Sequence, residues 1–223
     1  MATSLLALNI SEVFHSIQGE SSYAGYPCLF IRLAGCNLRC SYCDAAYTYR
    51  EPGRSYAVDD LLDRAAAQTG ALVEITGGEP LLQENVYPLM AGLLAADRTV
   101  LLETNGSLSL ARVPAPVIKI MDLKCPDSGM HDRMLLDNLD FLGANKQRPD
   151  EIKFVISSRR DYDWAVRMLK KHALDRRAAV LFSPVAGRMP PAELAGLILA
   201  DQLPVRLQIQ LHTIIWPHRS RGV

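Results

Sequence analysis

The sequence predicts an α/β fold in which a parallel sheet with crossover helices forms an incomplete, eroded (β/α) barrel of about six strands. Two observations predict it. Short apolar runs alternate with amphipathic segments along the chain. The clusters with chemical character follow those runs directly, at the strand ends where such barrels gather their active residues.

The expected strands, in order, are residues 29–33, 72–75, 99–103, 117–123, 151–156, 179–182 and 205–211, and helical patterns fall between most of them. In 58–69 the apolar positions Val58, Leu61, Leu62, Ala65 and Ala66 share one face, and Asp59 and Asp60 suit a helix N-terminus. Further helices are expected near 85–96, 132–142, 161–172 and 191–200. Between Glu103 and Val117 the chain is too short, and too rich in Ser, Pro and Gly, for a full helix. No repeat, low-complexity tract or linker interrupts the pattern, so residues 1–223 are expected to form a single domain.

Composition narrows the class. A chain of 223 residues buries on the order of 70% of its unfolded surface, enough for a core without disulfide staples. Lys+Arg and Asp+Glu balance at 24 each, giving no global charge that argues for nucleic acid or a membrane surface. Hydrophobic content of 49% with 22% charged residues is that of a soluble globular protein, and no run has the apolar length of a membrane span. The first residues lack the basic region and long apolar run of a signal peptide. Five cysteines, three of them clustered, indicate metal chemistry in a reducing compartment, and a cytoplasmic location is expected.

The clustered cysteines are the most specific feature. Cys36, Cys40 and Cys43 form C-x3-C-x2-C, three thiolates from one short loop. That is one ligand fewer than a closed tetrahedral zinc site or a fully ligated iron–sulfur cluster takes. A [4Fe–4S] cluster held this way keeps one iron open for S-adenosylmethionine. A zinc knuckle that borrows a fourth ligand from His15, Cys28 or Cys125 is the competing arrangement, but such modules usually carry a second C-x2-C pair or regularly spaced histidines. Cys28 and Cys125 are otherwise ordinary core or loop thiols.

The triplet, with aromatic Tyr42 before its last cysteine, resembles the signature of the radical S-adenosylmethionine superfamily. The upstream segments Glu12-Val13-Phe14-His15-Ser16-Ile17-Gln18-Gly19-Glu20 and Phe30-Ile31-Arg32-Leu33-Ala34-Gly35-Cys36 are similar to the 7-carboxy-7-deazaguanine synthase family. The chain end, from Gln208 through His212 to Val223, fits the same family, so the resemblance runs nearly end to end. It implies a modified, incomplete barrel of the radical S-adenosylmethionine type. It also implies a [4Fe–4S] cluster on Cys36, Cys40 and Cys43, with Tyr42, Cys43 and Asp44 facing the cofactor.

Thr76-Gly77-Gly78-Glu79-Pro80 taken alone is a tight strand-to-helix turn. The resemblance makes it the superfamily's glycine-rich motif, where missing side chains admit the methionine moiety of the cofactor and the Gly77 and Gly78 carbonyls and Glu79 accept its ammonium protons. Ile17, Gln18, Gly19, Glu20 and Arg32 match the family's substrate segment, and Arg32 offers a planar fork for a carboxylate. A strand arginine paired with Glu20 or another acid is the plainer reading of the same residue. Thr76 is expected on the ring side of the substrate, and the resemblance assigns contacts to His212 and to a terminal carboxylate at Val223. Glu103, Thr104 and Asn105 either end a strand at an Asn-Gly turn or lie near the cofactor. Asp122, Leu123, Lys124, Ser183, Pro184 and Val185 resemble segments that line the adenosine, by position more than by identity.

The implied reaction converts 6-carboxy-5,6,7,8-tetrahydropterin to 7-carboxy-7-deazaguanine with loss of ammonia, after a 5′-deoxyadenosyl radical takes the C6 hydrogen. An external electron donor and a homodimer are implied with it, and neither nucleic acid nor membrane as partner. One departure stands out. The family places a magnesium-ligating hydroxyl right after the Asp that follows the last cysteine, and here that position is Ala45. A weakened or altered Mg2+ site is therefore expected, through substrate carboxylate and water or through Asp44 or Thr48. The rival readings are a glycyl-radical activase and a non-enzymatic iron–sulfur or zinc module.

Overall fold

The computed structural model describes residues 6–70, 72–143 and 149–223. Its strands form one nine-stranded sheet, in the spatial order β3-β1-β2-β4-β5-β6-β7-β8-β9. The strands are β1 (Ala7–Ile17), β2 (Pro27–Leu33), β3 (Arg54–Ala57), β4 (Leu72–Gly77), β5 (Thr99–Thr104), β6 (Ile118–Asp122), β7 (Glu151–Ile156), β8 (Ala179–Pro184) and β9 (Arg206–Leu207). From β2 through β9 every neighbouring pair is parallel, while β1 runs antiparallel to both β2 and β3. The outer strands β3 and β9 do not pair, so the barrel stays open, as expected. The helices are α1 (Tyr47–Arg50), α2 (Val58–Ala66), α3 (Val86–Ala95), α4 (Arg159–His172), α5 (Pro191–Ala200) and α6 (Leu211–Ile215). None is long and apolar enough to cross a membrane.

The period-2 alternation of the strands divides the molecule. Leu29, Ile31 and Leu33 of β2, Val73 and Ile75 of β4, Val100 and Leu102 of β5, and Ile152, Phe154 and Ile156 of β7 join the main core, which also takes in the buried positions of α2 to α5. α2 is amphipathic as its sequence indicates, burying Val58, Leu61 and Ala65, with Asp59 and Asp60 in its first turn. α4 starts where the Ser158 side chain accepts from Asp161 N and stops at Ala173, which takes the left-handed conformation with φ +47°. Intervening residues on the same strands face the other way. Near the strand starts they form a small second cluster of Cys28, Phe30, Leu72, Leu101, Ile118 and Ile120. Toward the strand ends they turn polar.

Three expectations of the sequence are corrected. Residues 132–142 form no α-helix but two 3-10 segments, His131–Arg133 and Leu136–Phe141. Their polar groups are drawn to the loop after β5: Leu135 N donates to Gly106 O (3.0 Å), and the buried Asn138 amide donates to Gly106 O and Leu108 O while accepting from Leu110 N. At the other end, only Arg206–Leu207 of the expected 205–211 strand pairs with β8. Leu211 N donates to Gly19 O (2.9 Å), which turns the chain off the sheet and into α6. β1 and β3 have no counterpart among the expected strands; β1 occupies the segment taken there only for its substrate-binding residues.

Candidate active site

The inward-facing polar residues line a cavity of about 450 Å³ at the C-terminal ends of the parallel strands. One end belongs to the cysteine loop. It leaves β2 through Gly35, at φ +92°, and is tied down by Gly35 N donating to Thr48 O (2.7 Å) and Ser41 N to Ser128 O (3.0 Å). Cys36, Cys40 and Cys43 all line the cavity as free thiols, and Asn105 Nδ2 lies 3.8 Å from Cys36 Sγ. Burial holds the Cys40 thiol up to about 11, with Lys124 opposing the rise. Ligation here therefore releases a proton.

The sulfur spacing separates the two metal readings. Among the described residues, the group whose metal-type ligand atoms all lie within 4.8 Å of one another is Glu20, Asp44 and His212, and the cysteine triplet is not such a group. Two thiolates on one zinc ion, at about 2.3 Å each, sit no more than about 4.6 Å apart. The three thiols are not gathered in this way, and three ligands from one loop are what a cluster with one open iron takes. His15, Cys28 and Cys125 do not line the cavity; His15 is exposed on β1 and both cysteines are buried. Glu20, for its part, already accepts from Lys153 and Gln210.

The glycine-rich turn closes a contact within the chain. A Cβ on Gly77, at φ +152°, would overlap Leu33 O, and one on Gly78 would overlap Gly35 O and lie 2.8 Å from Cys36 Cβ. The two glycines thus bring the end of β4 against the root of the cysteine loop, sealed by Glu79 N donating to Gly35 O (2.9 Å). Both still line the cavity. Glu79 does not: its carboxylate is fully buried, accepting from Leu81 N (3.0 Å), Thr104 Oγ1 (2.9 Å) and Asn105 N (2.7 Å). Burial raises it to about 7 against those bonds. It braces the turn.

At the other end a polar ring forms. Lys153 of β7 donates to Glu20 (2.6 Å) and to Glu103, which also accepts from Thr76 Oγ1 (2.9 Å). Burial would raise Glu103, but the Lys153 charge and hydrogen bond outweigh it and hold the carboxyl at about 2. Glu74 is pushed up from the ordinary carboxylate value, by burial and then by the charges of Glu103 and Glu20, and its carboxyl accepts from Gln18 Nε2. Arg32 Nε donates to Glu12 (2.8 Å), so its partner is Glu12, not Glu20. Ile17, Gly19, His212 and Val223 complete the lining, with the His212 ring against the bare Cα of Gly19.

Of the remaining expected residues, Tyr42, Asp44, Thr104, Asn105, Asp122, Lys124 and Val185 line the cavity. Asp122 Oδ2 accepts from Lys124 Nζ (2.6 Å), while its buried Oδ1 has no partner among the described residues. Leu123 and Ser183 are buried away from the cavity, and Pro184 lines a smaller neighbouring one of about 270 Å³. Sequence reasoning missed Glu74, Lys153, Tyr47 and Gln210, all of which line the main cavity. Two of them carried a signal. A charge such as Glu74 in Leu72-Val73-Glu74-Ile75, or Lys153 in Ile152-Lys153-Phe154, is out of place in a parallel strand covered on both faces.

Comparison with known proteins matches the Radical SAM superfamily over residues 30–123, from β2 through the cysteine loop to the end of β6. The fold agrees: the crystal structure of QueE from Escherichia coli superposes with a TM-score of 0.75 at 22% identity, covering 94% of this chain and 99% of that one. A 7-carboxy-7-deazaguanine synthase of Chlorobaculum tepidum is 44% identical over 97% of both chains. One of Koribacter versatilis is 44% identical over 97% of this chain and 100% of its own. The chain belongs to the 7-carboxy-7-deazaguanine synthase family.

Proposed function

We propose that this protein is a radical S-adenosylmethionine enzyme that converts 6-carboxy-5,6,7,8-tetrahydropterin to 7-carboxy-7-deazaguanine, the ring contraction being balanced by release of one ammonia. The observation that carries this is a single cavity with three thiols at one end and a buried polar ring at the other. Cys36, Cys40 and Cys43 would hold a [4Fe–4S] cluster, and Gly77, Gly78, Asn105, Asp122 and Val185 would border S-adenosylmethionine. Bound there, the cluster and S-adenosylmethionine supply hydrogen-atom abstraction from C6, which no side chain can perform.

The chain's own residues bind, orient and shield. The terminal nitrogens of Arg32 present a fork to the pterin carboxylate. Glu74, with Gln18 and Thr76, faces the amide-like ring edge with donors and acceptors. The Lys153–Glu20–Glu103 bridge fixes the floor, and the walls keep solvent from a reactive centre. The magnesium site of this chain is altered. Ala45 offers no ligand, the buried Thr48 hydroxyl donates to Ala45 O (2.8 Å), and the exposed Asp44 is grouped with Glu20 and His212. An altered magnesium dependence follows.

The proposal includes a separate electron donor, a cytoplasmic setting, residues 1–223 acting as one domain, and a homodimer, for which exposed Leu199 (76%) and Ile214 (62%) offer apolar surface. The test is an anaerobic assay of the reconstituted protein with S-adenosylmethionine, reductant and the carboxypterin, with products read by mass. Formation of 7-carboxy-7-deazaguanine is expected. Cofactor cleavage without that product would keep the cluster chemistry, defeat the pterin assignment and favour a protein substrate.

A further inference from the structure

We propose that Glu12 is a positioning residue: one carboxylate sets the Arg32 fork and seats the Arg219–Val223 segment over the cavity, so carboxylate recognition and closure of the mouth act together. The inference rests on the functional reading above for the identity of the ligand, and on geometry for the rest.

Glu12 is aimed by the backbone. Along β1 the pairing with β2 slips between Ile10, opposite Leu33, and Glu12, opposite Arg32, so Ser11 is an extra residue and Glu12 faces Arg32 directly. Such bulges re-aim side chains beside functional sites. Both side chains are 16% exposed. Glu12 Oε1 accepts from Arg32 Nε (2.8 Å) and from Tyr47 Oη (2.7 Å), while Oε2 accepts from the backbone N–H of Gly222 (3.2 Å). With Nε engaged and the guanidinium against the Phe14 ring (5.8 Å), the two terminal nitrogens of Arg32 are left for a ligand.

The segment meets the same short helix twice more. Arg221 pairs with Glu51, directly after α1, and its guanidinium lies 4.2 Å from the centroid of the Tyr47 ring. Arg219, Ser220 and Val223 then form part of the cavity wall. A ligand that pulls on the Arg32 fork therefore acts through Glu12 on both Tyr47 and Gly222. The arrangement needs two acceptor oxygens. A glutamine offers one oxygen and one amide group, so it serves Arg32 and Tyr47 or Gly222, not both.

The experiment compares the reconstituted wild type with Glu12→Gln, and with Tyr47→Phe in case the first variant folds poorly. Glu12→Gln is expected to raise KM for the carboxypterin about ten-fold or more, with kcat and the Kd for S-adenosylmethionine little changed. Its preference for the carboxypterin over an analogue lacking the carboxylate should fall by the same factor. Tyr47→Phe, which loses one bond to the same oxygen, should raise KM about three-fold. Limited trypsin cleavage after Arg219 gives the second readout: the carboxypterin slows it in the wild type, basal cleavage is faster in Glu12→Gln, and the ligand no longer slows it there. A general structural role would instead lower melting temperature and weaken both ligands equally. Unchanged KM in both variants, or ligand protection that survives Glu12→Gln, overturns the proposal. If no deazaguanine forms in the wild type, the functional reading fails, while the Glu12–Gly222 seat is still judged by basal cleavage.

Discussion

Replacing Lys153 by methionine removes the one cation between Glu20 and Glu103 and preserves most of the side-chain volume. The Lys153 side chain is 5% exposed, against 18% for Glu20 and 27% for Glu103. Removing one partner of a buried pair costs about 3–5 kcal/mol, and the partial exposure of the two acids brings the expectation to about 2–3 kcal/mol. For a chain of this length that is a loss of roughly 5–10 °C in melting temperature at neutral pH. The pH dependence gives the argument its sign. Glu103 is held at about 2 in the folded protein, below its ordinary 4.5, so its contribution is present above pH 4.5 and lost as pH falls through about 2. Without Lys153 the Thr76 hydrogen bond and the Arg32 charge still favour its ionised form, but the largest opposing charge to its burial is gone and its folded pKa rises. The variant is then least penalised in acid and loses stability as pH increases through that raised value. Thermal melts followed by tryptophan fluorescence should show the wild type and Lys153→Met furthest apart at pH 8 and converging toward pH 5. Adding Glu103→Gln to the variant should recover part of the loss at pH 8. A gap that is the same at both pH values, or absent, refutes the claim that Lys153 holds the ring together.

Gly78→Ala should displace the root of the cysteine loop, because the new methyl group meets Gly35 O and Cys36 Cβ; iron and sulfide retained after reconstitution should drop several-fold, at a cost of about 2 kcal/mol or more. Gly196→Ala in α5, where an added Cβ meets nothing within 4 Å, should instead stabilise by about 0.5–1 kcal/mol and leave iron content unchanged. Glu79 is raised to about 7, so the stability favouring its neutral form is complete below pH 4.5 and fades as pH rises through 7. Glu79→Gln should flatten the fall in melting temperature between pH 5 and 8; an unchanged slope would show that this carboxyl is not the titrating group.

The cysteine loop was legible because its chemistry is local, three ligands within eight residues. The helices α2, α3, α4 and α5 and the strands β2 and β4 through β8 were legible because each carries its own apolar pattern. What was not legible depends on distant partners. Residues 132–142 have helix-like apolar spacing, yet the side chain of Asn138 binds the loop at 106–110 and the backbone follows it. β1 buries Leu8 and Ile10, but beyond them its residues are only partly covered, and its pairing with β2 makes it a strand. Glycines 77 and 78 stood out, but the backbone that leaves no room for a Cβ there, Leu33 and Gly35, lies across the sheet. Arg32 was foreseen, but its acid is Glu12, brought opposite by a bulge that no local pattern marks.

One inference from alternation would have recovered most of the missing site. Parallel strands are ordinarily apolar on both faces because helices cover both. In this sheet Ile31, Ile75, Leu102 and Phe154 meet that demand toward the helices, while Arg32, Glu74, Glu103 and Lys153, each next to one of them in sequence, do not. Four ionisable residues on four parallel strands cannot be buried under a further apolar layer without several unpaired charges. The face they share must stay a cavity, with ion pairs closed among its own members and the remaining polar atoms left for a ligand. The same period that builds the core thus commits the outer part of the opposite face to chemistry, and a charge at an inward position on each of several neighbouring strands is a site signal that needs no motif.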